Sequence, residues 1–244
     1  MTEGTIKGKI VLITGSSRGI GREIAIAASQ KGAVVVCVAR TMVDAEERGS
    51  LTDTVNKINS VGGKALAIAC DLTKSEDINN MIRKILDTFG RIDILVNNAG
   101  IYTSGLIESV NLDDWNKGIS LNLTAPFLLS QYCIPIMTEN GGGAILNITS
   151  ASADRYDKKH VAYSTIKSAV NRFSMNLAKE VKENGIVVNA LDPGLVKTEM
   201  NNFYKGGDDP STVVPAALWL IGLTIKDGFS GNIVSRKDFE TTWP

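Results

Sequence analysis

The sequence predicts an α/β fold, a doubly wound parallel sheet of about seven strands with helices on both faces, built by residues 1–244 as a single domain. Three observations predict it. Short β-branched runs alternate with segments of helical spacing along the whole chain. Several of those runs are apolar on both faces, as strands covered by helices on both sides must be. No linker, low-complexity tract or internal repeat divides the 244 residues.

Strands are expected at residues 9–14, 33–40, 65–70, 92–97, 144–149, 186–190 and 232–235. The first runs directly into Thr14-Gly-Ser-Ser-Arg-Gly-Ile-Gly21, which opens a helix at about Ile20. Ile78, Ile82, Ile85, Leu86 and Phe89 form one helical stripe, and Ile166, Val170, Phe173, Leu177 and Val181 form another. Thr73-Lys-Ser-Glu and Asn111-Leu-Asp-Asp supply helix starts, and Gly90 and Gly185 supply stops. Long helices are expected over about residues 113–137 and 159–184. Parallel strands joined this way require right-handed crossovers.

Charge and composition exclude several function classes. The 26 Lys+Arg balance 26 Asp+Glu, so zero net charge gives no general attraction to nucleic acid or to an anionic membrane. Cys37, Cys70 and Cys133 are isolated in apolar runs and read as buried free thiols of a reducing compartment. The N-terminus lacks the layout of a signal peptide, and no apolar run approaches the ~20 residues of a spanning helix. A cytoplasmic location is the expectation. No His/Cys/Asp cluster has metal-ligand spacing, so no metal site is expected.

The 23 glycines gain meaning from their placement. In the loop after the first strand, Gly15, Gly19 and Gly21 allow a diphosphate to approach the backbone, and Ser17, Arg18 and Ile20 present the helix N-terminus behind it. A glycine-rich turn that merely packs helix on strand is the alternative; the position in the first βα unit favours a dinucleotide. After the second strand, where Asp or Glu holds the ribose 2′-hydroxyl of NAD, the chain has Ala39-Arg40. With Arg18, that makes two guanidiniums and no carboxylate, which suits a 2′-phosphate and predicts NADP(H) over NAD(H). A solvated strand end is the other reading of Arg40.

Tyr163 and Lys167 lie four apart at the start of a helix, so a phenol and an ammonium share one face. A cation about 4 Å away contributes on the order of 4 kcal/mol at an effective dielectric of 20. That predicts a phenol pKa lowered from ~10 towards ~7, where it exchanges protons near neutral pH.

Taken together, these motifs resemble the short-chain dehydrogenase/reductase family over nearly the whole chain. Thr14–Gly21 fits its TGxxxGxG loop, Asn97-Asn-Ala-Gly100 its NNAG motif, and Tyr163 with Lys167 its YxxxK motif. Ser150 stands thirteen residues before the tyrosine, Asn122 fits the helix asparagine, Pro193-Gly194 with Thr198 fits the segment after strand six, and Asp71-Leu72 fits the adenine pair. The resemblance implies a Rossmann fold and an NADP(H)-dependent oxidoreductase. It would transfer hydride between nicotinamide and a small-molecule carbonyl or secondary alcohol. Tyr163 would give or take the proton, Lys167 hold the nicotinamide ribose, Ser150 steady the carbonyl oxygen and Asn122 hold a water. Asn98, Ala99 and Gly100 would line the cofactor floor, and Pro193, Gly194, Val196 and Thr198 would fix the nicotinamide. It also implies a homodimer or homotetramer built from the two long helices and the last helix and strand. Rival readings are an NAD-dependent alcohol or steroid dehydrogenase and a non-catalytic cofactor-binding regulator.

Ser152 has the wrong spacing to compete with Ser150, and Asn97 and Asn147 read as structural. His160, among Asp154, Arg155, Asp157, Lys158 and Lys159, reads as part of a solvated loop, with substrate contact as the alternative. Two regions depart from the family pattern. Residues 41–49 look like a polar insertion, and the substrate lid, about residues 195–212, is short. The last strand ends in Asn-Ile-Val-Ser-Arg-Lys-Asp rather than the usual Val-Asp-Gly-Gly type. An open cleft, or one completed by another subunit, is expected.

Overall fold

Every strand run in the sequence forms a strand, and all seven join one parallel sheet. The computed structural model describes residues 5–43, 49–201 and 205–242. The strands are β1 (Ile10–Thr14), β2 (Val34–Ala39), β3 (Lys64–Ala69), β4 (Ile94–Asn97), β5 (Gly143–Ile148), β6 (Ile186–Asp192) and β7 (Ile233–Ser235). Their order is β3-β2-β1-β4-β5-β6-β7, with Val11 opposite Val35 on one side and Ile94 on the other. Period-two alternation decides which layer each side chain joins. Val11 and Ile13 enter one core with Ile24, Leu51 and Leu220; Ile10 and Leu12 enter the other with Ile78, Leu129 and Leu177. Helices α1 (Gly19–Gln30), α2 (Leu51–Ser60) and α7 (Val214–Gly222) therefore cover one face, and α3 (Ser75–Phe89), α5 (Ala125–Glu139) and α6 (Val161–Glu180) the other.

Element boundaries moved where side chains intervened. α3 begins at Ser75, so its N-cap falls on Lys74 and has no side-chain cap. Thr73 turns back on Asp71, whose Oδ1 accepts the Thr73 hydroxyl at 2.7 Å and its N–H at 3.1 Å. That local turn claims the hydroxyl first. Asn111 does cap α4 (Leu112–Ile119), its Oδ1 accepting the Asp114 N–H at 2.8 Å. Gly90, at φ 69°, closes α3 in the left-handed region. β6 runs two residues past its expected end because Asp192 pairs with Ser235 of β7. Residues 44–48 of the expected polar insertion lie outside the described residues; Ser50 behind them caps α2 reciprocally with Asp53.

The first long helix is continuous over Leu112–Glu139, but a π-turn at Ser120–Thr124 divides α4 from α5. By length and composition it is apolar enough to cross a bilayer, contrary to expectation: Ser120, Asn122, Thr124, Ser130 and Gln131 interrupt the apolar run without cancelling it. Its inner face, with Ala125, Leu129, Cys133 and Met137, is buried against the sheet. The three cysteines are buried and free, and loss of hydration pushes each thiol up to about 12, so none is a thiolate at neutral pH. The last element, α8 (Arg236–Thr242), follows β7 directly.

Candidate active site

The strand order reverses between β1 and β4, and the crevice outside their carboxyl ends is where an open α/β sheet binds ligands. β1 delivers the glycine loop there. Gly15 takes φ +66°, and a Cβ on Gly21 would stand 2.5 Å from the Gly15 carbonyl oxygen, so both are required by helix–loop packing itself. Arg18, extended at the N-cap of α1, gives no side-chain bond to the first-turn N–H groups, and that turn holds no acid. Such a helix end attracts an anion through its donors and its dipole.

The ends of β4 and β1 are knitted together. Thr14 Oγ1 accepts the N–H groups of Asn98 and Ala99, each at 3.0 Å, and Asn98 Nδ2 donates to the carbonyls of Thr14 at 2.8 Å and Gly15 at 3.1 Å. A Cβ on Gly100 would stand 2.5 Å from Asn122 Oδ1, so only glycine fits beside the π-turn. Asn122 accepts the Ile101 N–H at 3.1 Å and donates to the Ile101 and Gly118 carbonyls, each at 3.0 Å. Both amide hydrogens are spent, one on the loop after β4 and one on the Gly118 carbonyl of α4. The water-holding side chain expected at Asn122 therefore has only acceptor capacity to offer. At the carboxyl ends of β2 and β3, Arg40 is exposed and Leu72 buried. Thr73 hydrogen bonds, with smaller help from Lys74 and Arg40, hold the Asp71 carboxyl below its ordinary range.

The structure brings Ser150, Tyr163 and Lys167 together between β5 and α6. Ser150 lies near enough to the Tyr163 phenol to oppose the rise in its pKa, and the Ser150 Oγ accepts the Ser152 N–H at 3.2 Å. Ser152 thus orients Ser150. Lys167 Nζ lies 5.7 Å from the centre of the Tyr163 ring and donates to the Ile148 carbonyl at 2.9 Å. Burial pushes the phenol up to about 12, with Ser150 opposing, and pulls the ammonium down to about 8. A lowered phenol is therefore not what this arrangement produces. The ammonium sits over the ring instead of at its oxygen, and burial strips water from both groups. Asn97 Nδ2 donates to Asn147 Oδ1, and Asn147 Nδ2 to Ser174 Oγ, each at 2.8 Å, tying β4, β5 and α6 together behind the site.

The segment after β6 crosses the glycine loop. Gly194 takes φ +70°, Val196 is buried, and the Thr198 methyl stands 3.3 Å from where a Gly19 Cβ would be. The two limbs of the segment expected to form a short lid are tied by Lys197 N–H to Asp208 O and Asp208 N–H to Leu195 O, both 2.8 Å, and Arg236 pairs with the Asp208 carboxylate. Residues 202–204 of that segment lie outside the described residues. Two side chains at the site, Arg236 and Tyr102, escaped the sequence reading. Arg236 packs beside Gly194, and Tyr102, hydrogen-bonded to His160 Nε2, stands edge-on to the Tyr163 ring with 4.9 Å between centres. His160 is not simply solvated. These contacts join segments far apart in sequence, where spacing carries no signal.

The family model of the short chain dehydrogenases matches residues 9–207. A 3-oxoacyl-[acyl-carrier-protein] reductase of Synechocystis is 36% identical over 196 residues, 80% of this chain and 77% of the relative. Two solved structures superpose closely. One, from Beutenbergia cavernae, is described as an NAD(P)-dependent gluconate 5-dehydrogenase with NADP bound at low occupancy; its TM-score is 0.87 at 28% identity, covering 96% of this chain and 97% of that one. The other is a 7α-hydroxysteroid dehydrogenase complexed with NADH and 7-oxo glycochenodeoxycholic acid, TM-score 0.86 at 30% identity, covering 96% and 94%. On the family match, the sheet order and these neighbours, the chain belongs to the short-chain dehydrogenase family of oxidoreductases.

Proposed function

We propose that the protein is an NADP(H)-dependent reductase of ketones or aldehydes, able to oxidise the secondary alcohol in reverse, with Tyr163 as general acid/base. The observation that carries it is Ser150 near the phenol of a buried Tyr163 beside a buried Lys167, at the carboxyl end of β5. The residues present fit a dinucleotide. The uncapped start of α1 offers N–H groups to a diphosphate. Among the described residues the Lys167 ammonium gives one hydrogen bond, to the Ile148 carbonyl, so with three donors it keeps capacity for ribose hydroxyls. When bound, the nicotinamide supplies or accepts the hydride.

The rest is the work of this chain. A phenol held near 12 keeps its proton throughout the neutral range, so Tyr163 is charged for donation to a carbonyl oxygen as negative charge develops there. Ser150 supplies a second donor to that oxygen. Lys167 places positive charge on the side of the returning proton. Pro193, Gly194, Val196 and Thr198 form the wall opposite the glycine loop, on which Thr198 closes. We further propose a single-domain, cytoplasmic homo-oligomer; exposed Leu112 on α4 and Phe127 on α5 support a partner on that helix pair.

NADP(H) preference rests on Arg40 and Arg18 and on the lack of a carboxylate at the end of β2, since neighbours hold either nucleotide. Wild type should bind NADPH more tightly than NADH, and Arg40→Asp should shift the ratio of dissociation constants by about 10-fold to 100-fold towards NADH. Fluorescence titration of both nucleotides checks it, and tighter NADH binding by the wild type would overturn the assignment. Turnover is read as loss of NADPH absorbance over a panel of carbonyl compounds.

A further inference from the structure

Two loops meet beside Tyr163: residues 101–110 after β4, and residues 154–160 before α6. The Gly105 N–H donates to the Lys159 carbonyl at 2.8 Å. Lys159 takes φ 68°, alone among the described non-glycine residues in this left-handed region, which a Cβ disfavours. The packing of the two loops holds it there and presents the next residue, His160, to Tyr102. His160 Nε2 and the Tyr102 phenol share a hydrogen bond, while Asp157 Oδ2 stands 3.9 Å from Nδ1 on the far side of the imidazole. The Tyr102 ring meets the Tyr163 ring edge-on at 74°, with 4.9 Å between centres. Next along the loop, Thr103 is buried, with its hydroxyl 3.1 Å from the Cβ position of Gly118 in α4.

Tyr102 is thus held at its tip by His160 and by the T-shaped contact with Tyr163, yet 40% of it is open to solvent. Its hydroxyl is already paired, so what it offers a ligand is a ring face. Because the two rings touch, the exposed part of Tyr102 would lie beside a substituent on a carbonyl held by the Tyr163 phenol. A fixed aromatic face rewards a flat, π-rich substituent by stacking, and little side-chain freedom is lost on binding. Exposed Leu106 and Ile107 on the same loop keep this approach apolar.

We propose that Tyr102, locked by His160, is a specificity-determining residue that selects carbonyl compounds bearing an aryl or conjugated planar group on the carbonyl carbon. The inference rests on the reductase reading above.

The test compares kcat/KM for acetophenone with that for its saturated counterpart, cyclohexyl methyl ketone, using the full chain and NADPH. Wild type should favour the aryl ketone by about 3-fold to 10-fold. Tyr102→Leu should bring the ratio near one, Tyr102→Phe should keep most of it because the ring remains, and His160→Ala should lower it by freeing the ring. NADPH fluorescence reports that each variant is folded. A wild-type ratio of one or below, or the wild-type ratio retained in both Tyr102→Leu and His160→Ala, overturns the proposal. Wild type that oxidises NADPH with neither these ketones nor any other carbonyl compound overturns the reductase reading itself, and this inference with it.

Discussion

Tyr163→Phe lowers the rate of carbonyl reduction by about 10²-fold to 10⁴-fold, the usual worth of a positioned general acid, while NADPH affinity stays within about 3-fold of wild type. The substitution removes one oxygen and little else. Phenylalanine keeps the ring that Tyr102 meets edge-on and fills the same buried space, 8% exposed in the tyrosine. Ser150 loses the phenol but keeps the Ser152 N–H as a donor to its oxygen, so the stability cost should stay within about 1 kcal/mol. Steady-state NADPH absorbance measures the rate, and fluorescence quenching measures the affinity. Equal turnover in mutant and wild type would end the assignment of Tyr163 as the proton donor.

Lys167→Met has the second large effect, and its signature is a pH slope. Burial pulls the folded lysine from 10.5 down to about 8, so between those values the unfolded chain holds a proton that the folded chain does not. Stability of the wild type therefore rises with pH across that window, and below about pH 8 the full cost of the buried cation is present. Methionine fills the space without titrating. The stability of wild type relative to Lys167→Met should climb by about 2–3 kcal/mol between pH 8 and 10, read from urea melts. At pH 7 two effects oppose: the variant escapes the buried charge but leaves the Ile148 carbonyl without its donor, a loss of about 1–3 kcal/mol. The raised phenol of Tyr163 acts in the opposite direction only above pH 10, where the unfolded tyrosine ionises first. Activity should fall about 10²-fold or more, because the charge beside the phenol and the ribose donors go together. Parallel stability profiles for the two proteins would refute a buried, perturbed lysine.

Sheet and helices were legible because burial on both faces leaves an unmistakable pattern. β1 is Ile-Val-Leu-Ile-Thr, and all five residues are buried. What the pattern could not carry is competition between local bonds. Thr73 reads as a cap until Asp71 takes its hydroxyl, and β6 reads as ending at Ala190 until β7 extends it. The site divides in the same way. Four-residue spacing puts Tyr163 and Lys167 on one face, and the structure keeps them there, but spacing says nothing of depth, and depth reversed the direction of the phenol's pKa. Tyr102 and His160 stand 58 residues apart on two loops, so their contact exists only once the sheet has brought those loops to the same end. The π-turn around Asn122 was invisible for another reason: one extra residue per turn shifts a helical stripe without erasing it.

That π-turn gives the Leu112–Glu139 helix two angular frames. Each residue of an α-helix advances about 100° around the axis, so a segment lengthened or shortened by one residue turns everything after it by more than a quarter of a circle. Ser120–Thr124 sets the phase in which Ala125, Leu129, Cys133 and Met137 meet the sheet while Asn122 meets Ile101. The wider turn absorbs one extra residue, so deleting a single residue would let it close as a regular helix with the Ala125–Met137 stripe still facing the sheet. What would be lost is the bulge that carries Asn122 to Ile101. The extra residue is therefore spent on placing one side chain, since it moves Asn122 onto the loop after β4 without disturbing the packing of the helix that follows.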